Sequence, residues 1–154
     1  MKLTTYSNYS MRVLMVAAAR SPDLTTVREV SDAFRISEAH LVKCVHQLGA
    51  WGFLETVRGN RGGFRLARPA ASIGVGEVIR RTEDGFALVE CFDPATNRCP
   101  LIDRCKLKRA LHRATEAFLA VLDETTLADI AANGEDLLAI LELRPPISAA
   151  CSAF

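Results

Sequence analysis

Apolar residues recur at helical spacing through the first fifty positions of the chain and predict three helices. The first helix, around Tyr9 to Ala18, ends near Ser21-Pro22, because proline disfavours a helical conformation in the residue before it. The second begins at Thr26, which forms a capping-box sequence with Glu29. The third begins after Ser37 and has an apolar inner face and a polar outer face. A short turn joins the second and third helices, so the pattern predicts a helix-turn-helix unit.

A β-hairpin is predicted directly after the third helix. Residues 53–57 and 64–67 have the composition of two strands, and the Arg-Gly-Asn-Arg-Gly-Gly sequence of residues 58–63 is typical of a tight turn. The glycines let the backbone approach a ligand closely, while Arg58, Arg61 and Arg65 place guanidinium groups around the tip. Phosphates or a minor groove are the natural targets of such a wing. The order of helix, helix, helix and basic hairpin therefore predicts a protein that binds double-stranded operator DNA.

The predicted DNA-binding residues lie in the three helices, at their caps and in the wing. They are Arg12, Thr26, Ser37, His40, Leu41, Lys43, Arg58, Asn60, Arg61 and Arg65. We expect His40 and Lys43 to meet base edges, because the outward face of a recognition helix enters the major groove. Arg61 is expected to contact a phosphate or the minor groove.

The second half of the chain shows three further helical patterns. Residues 72–81 predict a short helix, residues 105–123 a long one, and residues 126–143 a helix that is broken at Asn133-Gly134. The long helix carries an apolar stripe that needs a second surface to cover it, and the N-terminal helices already have a core of their own. We therefore expect a homodimer interface along it. The stripe residues are Leu107, Leu111, Ala114, Phe118 and Val121.

These patterns define the fold class and the organisation of the chain. The fold class is mainly α with a small β-hairpin, as a winged helix-turn-helix domain plus a long dimerisation helix. The 154 residues are about one domain's worth, and 49% of them are hydrophobic, which is enough for a core. We divide the chain into a DNA-binding domain, a connection with the cysteine cluster, the dimerisation and C-terminal helices, and a flexible tail. Their bounds are residues 1–82, 83–104, 105–143 and 144–154.

Charge is unevenly distributed between the two halves. Residues 1–70 carry ten Lys and Arg against five Asp and Glu, whereas residues 71–154 carry nine against thirteen. A basic N-terminal half is consistent with a polyanionic partner. The chain has no run of 18 apolar residues and no signal-peptide pattern, so we expect a cytoplasmic protein with reduced thiols. It also has no nucleophile-base motif, P-loop or Rossmann fingerprint, so an enzyme is not predicted.

Three of the five cysteines are crowded into the segment CFDPATNRCPLIDRC, which prolines at 94 and 100 keep from being helical. Seven residues separate Cys91 from Cys99, and five separate Cys99 from Cys105. Cytosolic cysteine clusters usually bind metal or take part in catalysis. Zinc sites usually include one shorter spacing between ligands, whereas an iron-sulfur cluster tolerates wider ones. The spacing favours a cluster over zinc and leaves both open.

The other two cysteines, and the histidine that follows the cluster, are expected to be ordinary structural residues. Cys44 is expected in the core of the third helix, and Cys151 lies in the tail. A three-cysteine zinc site would have to recruit a fourth ligand such as His112, which is otherwise expected to be a surface residue of the long helix.

Several segments resemble the winged-helix iron-sulfur repressors that include NsrR, IscR and RirA. They are MKLTTYSNYSMRVL, SEAHLVKCVHQL, ETVRGNRGGFRLARPA, the three cysteines and LKRALHRATEAFLAVLDETTLADI, which together cover about residues 1 to 130. The resemblance implies that Cys91, Cys99 and Cys105 hold an iron-sulfur cluster, with [4Fe-4S] favoured over [2Fe-2S]. It also implies that the third helix lies in the major groove and that the helix beginning at Cys105 forms the dimer.

The resemblance points to two branches of that family. LVKCVHQL and FLAVLDETTLADI are similar to the nitric-oxide-sensing NsrR branch, whereas ECF and the spacing after Cys91 are similar to the iron-responsive RirA branch. In some NsrR proteins an aspartate from the other subunit is the fourth cluster ligand, and the matching position here is Asn8. The expected function is a dimeric cluster-dependent repressor that senses nitric oxide. The alternatives are an iron-responsive repressor and a redox or electron-transfer protein on a winged-helix scaffold.

Overall fold

The computed structural model describes residues 2–59 and 61–147, and confirms a mainly helical chain with one antiparallel hairpin. Two single 3-10 turns, at Ala70–Ser72 and Glu90–Phe92, supplement the helices. The elements in chain order are α1 (Thr5–Ala19), α2 (Val27–Phe34), α3 (Glu38–Ala50), β1 (Leu54–Val57), β2 (Gly63–Leu66), α4 (Val75–Thr82), α5 (Lys106–Asp123), α6 (Leu127–Ile130) and α7 (Gly134–Ile140).

Local capping explains where the first helices begin. The Thr4 hydroxyl accepts a hydrogen bond from the Ser7 amide at 3.1 Å and starts α1. At α2 the predicted capping box forms, since Thr26 Oγ1 accepts from the Glu29 amide and the Glu29 carboxylate accepts from the Thr26 amide. Ser37 occupies the cap position of α3, but its side chain makes no capping hydrogen bond. Ser37 is thus the N-cap residue of α3, where the expected third helix begins, and it meets the helix through its carbonyl, which accepts from the His40 and Leu41 amides.

Helix α1 lies at the centre of the core. Its buried face includes Val13, Leu14, Val16 and Ala17, all of them 0% exposed. This face packs against α3, β2, α4, α6 and α7, so one helix connects the DNA-reading elements to the C-terminal ones. The core is closed by the aromatic residues at the base of the wing, Phe53 and Phe64.

The wing, which consists of β1, β2 and the turn between them, is fixed to the rest of the domain at its returning strand. Leu54 pairs with Leu66 and Val57 with Gly63. Thr25, in the loop before α2, donates its amide to the Phe64 carbonyl at 2.9 Å and accepts from the Phe64 amide at 2.8 Å. A side chain at Gly63 would place its Cβ 2.5 Å from the Thr25 carbonyl oxygen. The absence of a side chain at position 63 is therefore what allows the wing to join this loop.

The C-terminal end of α5 is bonded to the winged domain. The Val75 amide donates to the Thr125 carbonyl and the Leu127 amide to the Ile73 carbonyl, both at 2.8 Å. In addition, the Arg80 guanidinium forms a bidentate ion pair with the Asp123 carboxylate. These bonds set the direction in which α5 leaves the domain.

The final segment forms two short helices, α6 and α7, with the predicted break before Gly134. A Cβ at Gly134 would lie 3.2 Å from the Ala19 side chain, so the glycine lets α7 approach the end of α1 closely. The Ile147 amide donates to Asp23 at 2.6 Å. The rest of the predicted flexible tail, with Cys151, lies outside the described residues. No helix in residues 2–59 or 61–147 has the length and apolarity needed to cross a membrane.

Candidate DNA-binding surface and cysteine loop

Helix α3 presents one buried and one exposed face. Leu41, Cys44 and Leu48 are buried, and burial raises the pKa of the Cys44 thiol, which agrees with its predicted place in the core. Leu41 is 0% exposed, so its side chain packs in the core and cannot reach DNA. Leu41 therefore has to be removed from the predicted DNA-binding residues. Its inward position follows from the same helical periodicity that defines the core face.

The other predicted residues of α3, His40 and Lys43, are exposed. The His40 ring lies 6.2 Å from the Tyr9 ring of α1, in a tilted arrangement. Helix α1 therefore contributes to the orientation of a side chain on the exposed part of α3. Ser37 is exposed at the N-terminus of the same helix, where free amides favour an anion such as phosphate.

Arg12 and Thr26 both have contacts within the domain, of which the sequence indicated only that of Thr26. The Arg12 guanidinium lies 5.0 Å above the centre of the Phe34 ring, which fixes it between α1 and α2 by a cation-π contact. The Thr26 hydroxyl is occupied by the capping box with Glu29. Both residues therefore hold α2 in place, and any contribution of theirs to DNA binding is added to that structural role.

The arginines of the wing fall into two classes. Arg58 and Arg61 are exposed and have no acidic partner within the described part of the chain. Arg65 instead forms an ion pair with Glu55 on the neighbouring strand, with 3.1 Å between Nε and Oε2. Arg58 and Arg61 are therefore the wing cations available to a phosphate, whereas Arg65 would have to exchange partners. Asn60 lies outside the described residues.

A nearly buried ion pair supports the start of α2. Arg20, whose side chain is 10% exposed, donates from Nη1 to Glu29 Oε1 at 2.6 Å. Burial raises the pKa of Glu29, but hydrogen bonds from Thr26 and Arg20 lower it by more, so the carboxyl has a pKa below its usual value. Glu29 therefore remains charged where it closes the capping box and neutralises a cation in the domain interior.

The cysteine loop, residues 83–104, is attached to α1 where it begins. The Glu83 carboxylate accepts from the Thr4 amide at 2.8 Å, from the Thr4 hydroxyl at 3.0 Å and from the Ser7 hydroxyl. Burial raises the pKa of Glu83, but these hydrogen bonds lower it by more, so the net shift is downward. Ser7 Oγ also lies 2.8 Å from Thr82 Oγ1, within hydrogen-bond distance. Nothing in the sequence around Glu83 signals this link, because its partners lie at the other end of the domain.

The loop also packs along α5 through two aromatic contacts. Phe86 lies 6.4 Å from Phe118 and Phe92 lies 5.7 Å from His112, measured between ring centres. His112 Nδ1 is 3.2 Å from the Glu116 carboxylate. His112 is exposed, as expected for a surface residue of the long helix, and it also contacts the loop.

The three predicted ligands, Cys91, Cys99 and Cys105, are half-buried free thiols. Cys105 caps α5, where its Sγ accepts a hydrogen bond from the Lys108 amide at 3.3 Å. The Cys99 amide donates to the Asn97 side chain at 3.0 Å. Within the described residues, however, no three donor side chains are arranged closely enough to hold a metal ion. The structure thus places the cysteines in one loop and at its helix cap without bringing their sulfurs together.

The residues nevertheless fit an iron-sulfur cluster by their chemistry. Thiolates are the ligands that such clusters use, and these three are not consumed by disulfides. Cys105 lies at the N-terminus of α5, and the backbone amide of Lys108 already points at its sulfur. Cys91, Cys99 and Cys105 are therefore suited to hold a cluster.

The predicted dimer stripe of α5 is divided between two surroundings. Leu111 and Phe118 are half-buried, and Phe118 packs on Phe86 of the same chain. Leu107 and Val121 are 65% and 63% exposed, and Ala114 is exposed between them. Two further exposed alanines complete a row with alternating steps of three and four residues, which we call the α5 seam. The seam consists of Leu107, Ala110, Ala114, Ala117 and Val121.

The α5 seam has the spacing of the contact positions in a pair of packed helices. The small side chains at its centre would let a second helix approach closely. Three of the predicted interface residues, Leu107, Ala114 and Val121, belong to the seam, and the dimer interface itself stays a prediction. Leu111 and Phe118 line the inner side of α5, and Ala110 and Ala117, which the sequence reasoning missed, belong to the exposed side.

Comparisons with known proteins agree with this architecture. A family model described as Rrf2, an iron-dependent transcriptional regulator, matches residues 3–133. The chain is 44% identical over 145 residues to the HTH-type transcriptional regulator NsrR of Bacillus subtilis, and the aligned region covers 94% of this chain and 99% of that protein. It is 40% identical over 153 residues to Protein aau3 of Rhizobium meliloti, covering 99% of both.

Solved structures show the same fold. The oxidized form of CymR from Staphylococcus aureus matches with a TM-score of 0.68 and 27% identity, over 85% of this chain and 96% of that one. IscR from T. potens matches with a TM-score of 0.69 over 89% and 90% of the two chains, and at 23% identity this likeness concerns the fold alone. With a family model that spans most of its length and relatives above 40% identity, the chain belongs to the Rrf2 family of transcriptional regulators and is not an enzyme.

Proposed function

We propose that this regulator is a cytoplasmic homodimeric repressor whose affinity for operator DNA depends on an iron-sulfur cluster held by Cys91, Cys99 and Cys105. The observation that carries the proposal is the position of these thiols, in the segment between the winged domain and the exposed α5 seam. A ligand at this place can change the angle between the reading heads and the dimer stem.

The recognition helix, the wing, the α5 seam and the cysteines have separate roles in this proposal. In each protomer, α3 enters the major groove with His40 and Lys43, and Arg58 and Arg61 bind the backbone or the adjacent minor groove. The α5 seam packs against its copy and sets the distance between the two reading heads. The three cysteine side chains, as thiolates, draw the loop and the start of α5 together. When bound, the cluster supplies iron that reacts with a small signalling molecule.

The loop transmits this state because it is attached both to the start of α1 and to α5. Glu83 is hydrogen bonded to Thr4 and Ser7 of α1, and Phe86 packs on Phe118 of α5. Loss of the sulfur ligation would loosen the segment from Cys91 to Cys105 that follows these two contacts. DNA binding would then carry the cost of ordering it again, in the range of about 1–3 kcal/mol that is typical of coupling between sites. The cluster-loaded form is therefore expected to bind its operator more tightly.

Nitric oxide is the proposed signal, because the chain resembles the NsrR branch in its third and fifth helices and has relatives that bear that name. A [4Fe-4S] cluster is the favoured form. A second candidate is iron availability, which the description of the family model and the seven residues between Cys91 and Cys99 favour. An electron-transfer role is not supported by any feature of the described surface.

The deciding experiment compares the wild-type protein with Cys99→Ala and with Cys151→Ala, a cysteine outside the loop, after anaerobic purification. Iron and acid-labile sulfide should copurify with the wild type and Cys151→Ala and be lost from Cys99→Ala, while light scattering should show dimers for all three. Binding to the promoter region of the protein's own gene should weaken about 5- to 150-fold in Cys99→Ala, with little change in non-specific binding.

Two titrations of the wild type then separate the signals. If nitric oxide is the signal, adding it should bleach the cluster absorbance and reduce DNA binding in parallel. If iron availability is the signal, an iron chelator should produce these two changes instead. Equal operator affinity for the loaded, cluster-free and Cys99→Ala proteins would contradict the sensor and leave a DNA-binding protein alone.

A further inference from the structure

One apolar side chain stands among the polar residues on the outward face of α3. Val42 is 52% exposed and lies beside Lys43 and His46, both of them exposed. Ala39, one turn earlier on the same side, is exposed as well. Val42 is the only large aliphatic residue on that face, since the others of α3 point into the core.

Folding alone gives no reason for valine at this position. The core-facing side of α3 is complete with Leu41, Val45 and Leu48, and Val42 is not among the residues that pack on it. Valine is a weaker helix former than alanine, because its β-branched side chain loses rotamer freedom against the preceding turn. An alanine would thus serve the helix better, so the two γ-methyl groups point to a role on the surface.

The surroundings of Val42 have the chemistry of a base-reading site. Tyr6 of α1 and Val42, Lys43, His46 and Gln47 of α3 line an open hollow of about 490 Å³. The hollow has an apolar side formed by Val42 and a rim of hydrogen-bonding groups. In the major groove the base edges present donors and acceptors, and the one apolar group among them is the 5-methyl group of thymine.

We infer that Val42 contacts the 5-methyl group of a thymine in each operator half-site. The inference rests on the proposed DNA-binding function and adds one base to what the protein reads. Ala39 leaves room for the base edge at the N-terminal half of α3, the part of a recognition helix that enters the groove. Lys43 and His46 then lie where they can meet the polar edges of the neighbouring base pairs.

The experiment removes the methyl group from the DNA rather than from the protein alone. The probe is a duplex that the wild-type dimer selects from a random-sequence library, with each thymine replaced in turn by deoxyuridine, which lacks only the 5-methyl group. Burial of one methyl group contributes about 0.8 kcal/mol, which corresponds to about fourfold in affinity. At one thymine position in each half-site, the replacement should therefore weaken wild-type binding about fourfold, and about sixteenfold when both half-sites are changed.

Val42→Ala supplies the other half of a double-mutant cycle. This variant should fold at least as well as the wild type, bind the thymine duplex less tightly, and bind the thymine and deoxyuridine duplexes equally at that position. The matched control is Ile140→Ala, which truncates an aliphatic side chain that is 80% exposed on α7. The control should keep the full difference between thymine and deoxyuridine.

The outcomes separate this inference from the function on which it rests. A Val42→Ala protein that still distinguishes thymine from deoxyuridine as the wild type does would overturn the inference and leave DNA binding intact. The same holds if no thymine position responds to the replacement. If the wild-type dimer selects no sequence at all, the inference and the proposed DNA-binding function are both wrong.

Discussion

The attachment of the wing to the loop before α2 allows a quantitative prediction for Gly63→Ala. A Cβ at this position would lie 2.5 Å from the Thr25 carbonyl oxygen and 3.1 Å from the Thr25 carbonyl carbon. Both atoms belong to the backbone and cannot rotate away, so β2 has to move. The movement separates Thr25 from Phe64, whose two mutual hydrogen bonds are 2.8 and 2.9 Å long.

The cost follows from the two hydrogen bonds that the movement breaks. Each intramolecular hydrogen bond contributes about 0.5–1.5 kcal/mol net, so two of them correspond to about 2 kcal/mol. Gly63 does not have a positive φ, which means that the effect is steric and not conformational. The free energy of unfolding should therefore fall by about 2 kcal/mol, and the displaced wing should also weaken DNA binding.

Urea unfolding followed by circular dichroism measures this directly, with the denaturant slope compared between variants. Gly49→Ala is the matched control. Its Cβ would meet nothing closer than 3.8 Å, and alanine is a better helix former than glycine, so its stability should be unchanged or higher. If Gly63→Ala is as stable as Gly49→Ala, the wing is not held by Thr25 and the reasoning is refuted.

Three further variants test other parts of the molecule. Ala114→Asp places a carboxylate in the α5 seam and should therefore give monomers, as measured by light scattering. The control is Ala120→Asp, on an exposed face of α5 away from the seam, which should remain dimeric. If both variants are dimers, the seam is not the dimer interface. Arg61→Ala should lower the slope of log affinity against log salt by about one for each phosphate that the arginine neutralises, while the remote Arg144→Ala should leave that slope unchanged. Glu29→Gln should cost about 1 to 2 kcal/mol at pH 7, because it removes the negative partner of Arg20. The pKa of Glu29 is lower in the folded than in the unfolded protein, so its contribution to the free energy of unfolding is present above the unfolded pKa and is lost as pH falls through the folded pKa. The stability of the wild type should therefore approach that of Glu29→Gln in acid. A stability difference between the two proteins that stays constant down to about pH 2 would contradict this.

The parts of the fold that the sequence predicts are those whose signals are local. The capping box of Thr26 and Glu29 joins residues three positions apart, and the glycine-rich turn of the wing specifies its own geometry. The buried side of α3 follows the same rule. The helical period places Leu41 on that side, which is why its assignment to the DNA-binding residues is wrong.

Interactions between distant segments were not predictable in this way. Glu83 is bonded to Thr4, 79 positions away, and no pattern around either residue indicates the other. The division of the α5 stripe has a similar origin, because Phe86 decides which side of the helix is covered. An apolar stripe in the sequence shows which positions of a helix are apolar. Which of those positions are covered and which stay exposed depends on where the loop packs against the helix.

The bonds between α5 and the winged domain also have a mechanical consequence. They are concentrated at the C-terminal end of the helix, where Arg80 pairs with Asp123 and the Val75 amide bonds to Thr125, whereas Cys105 lies at the opposite end. The 18 residues of α5 make a rod of about 27 Å. With that rod pivoting at Asp123, a sideways shift of about 2 Å at Cys105 corresponds to a rotation of about 4° between stem and reading head. In the proposed dimer the helix would act as a lever with its fulcrum on the winged domain and the thiols at its far end, so that a small rearrangement of the sulfur atoms would re-aim both reading heads.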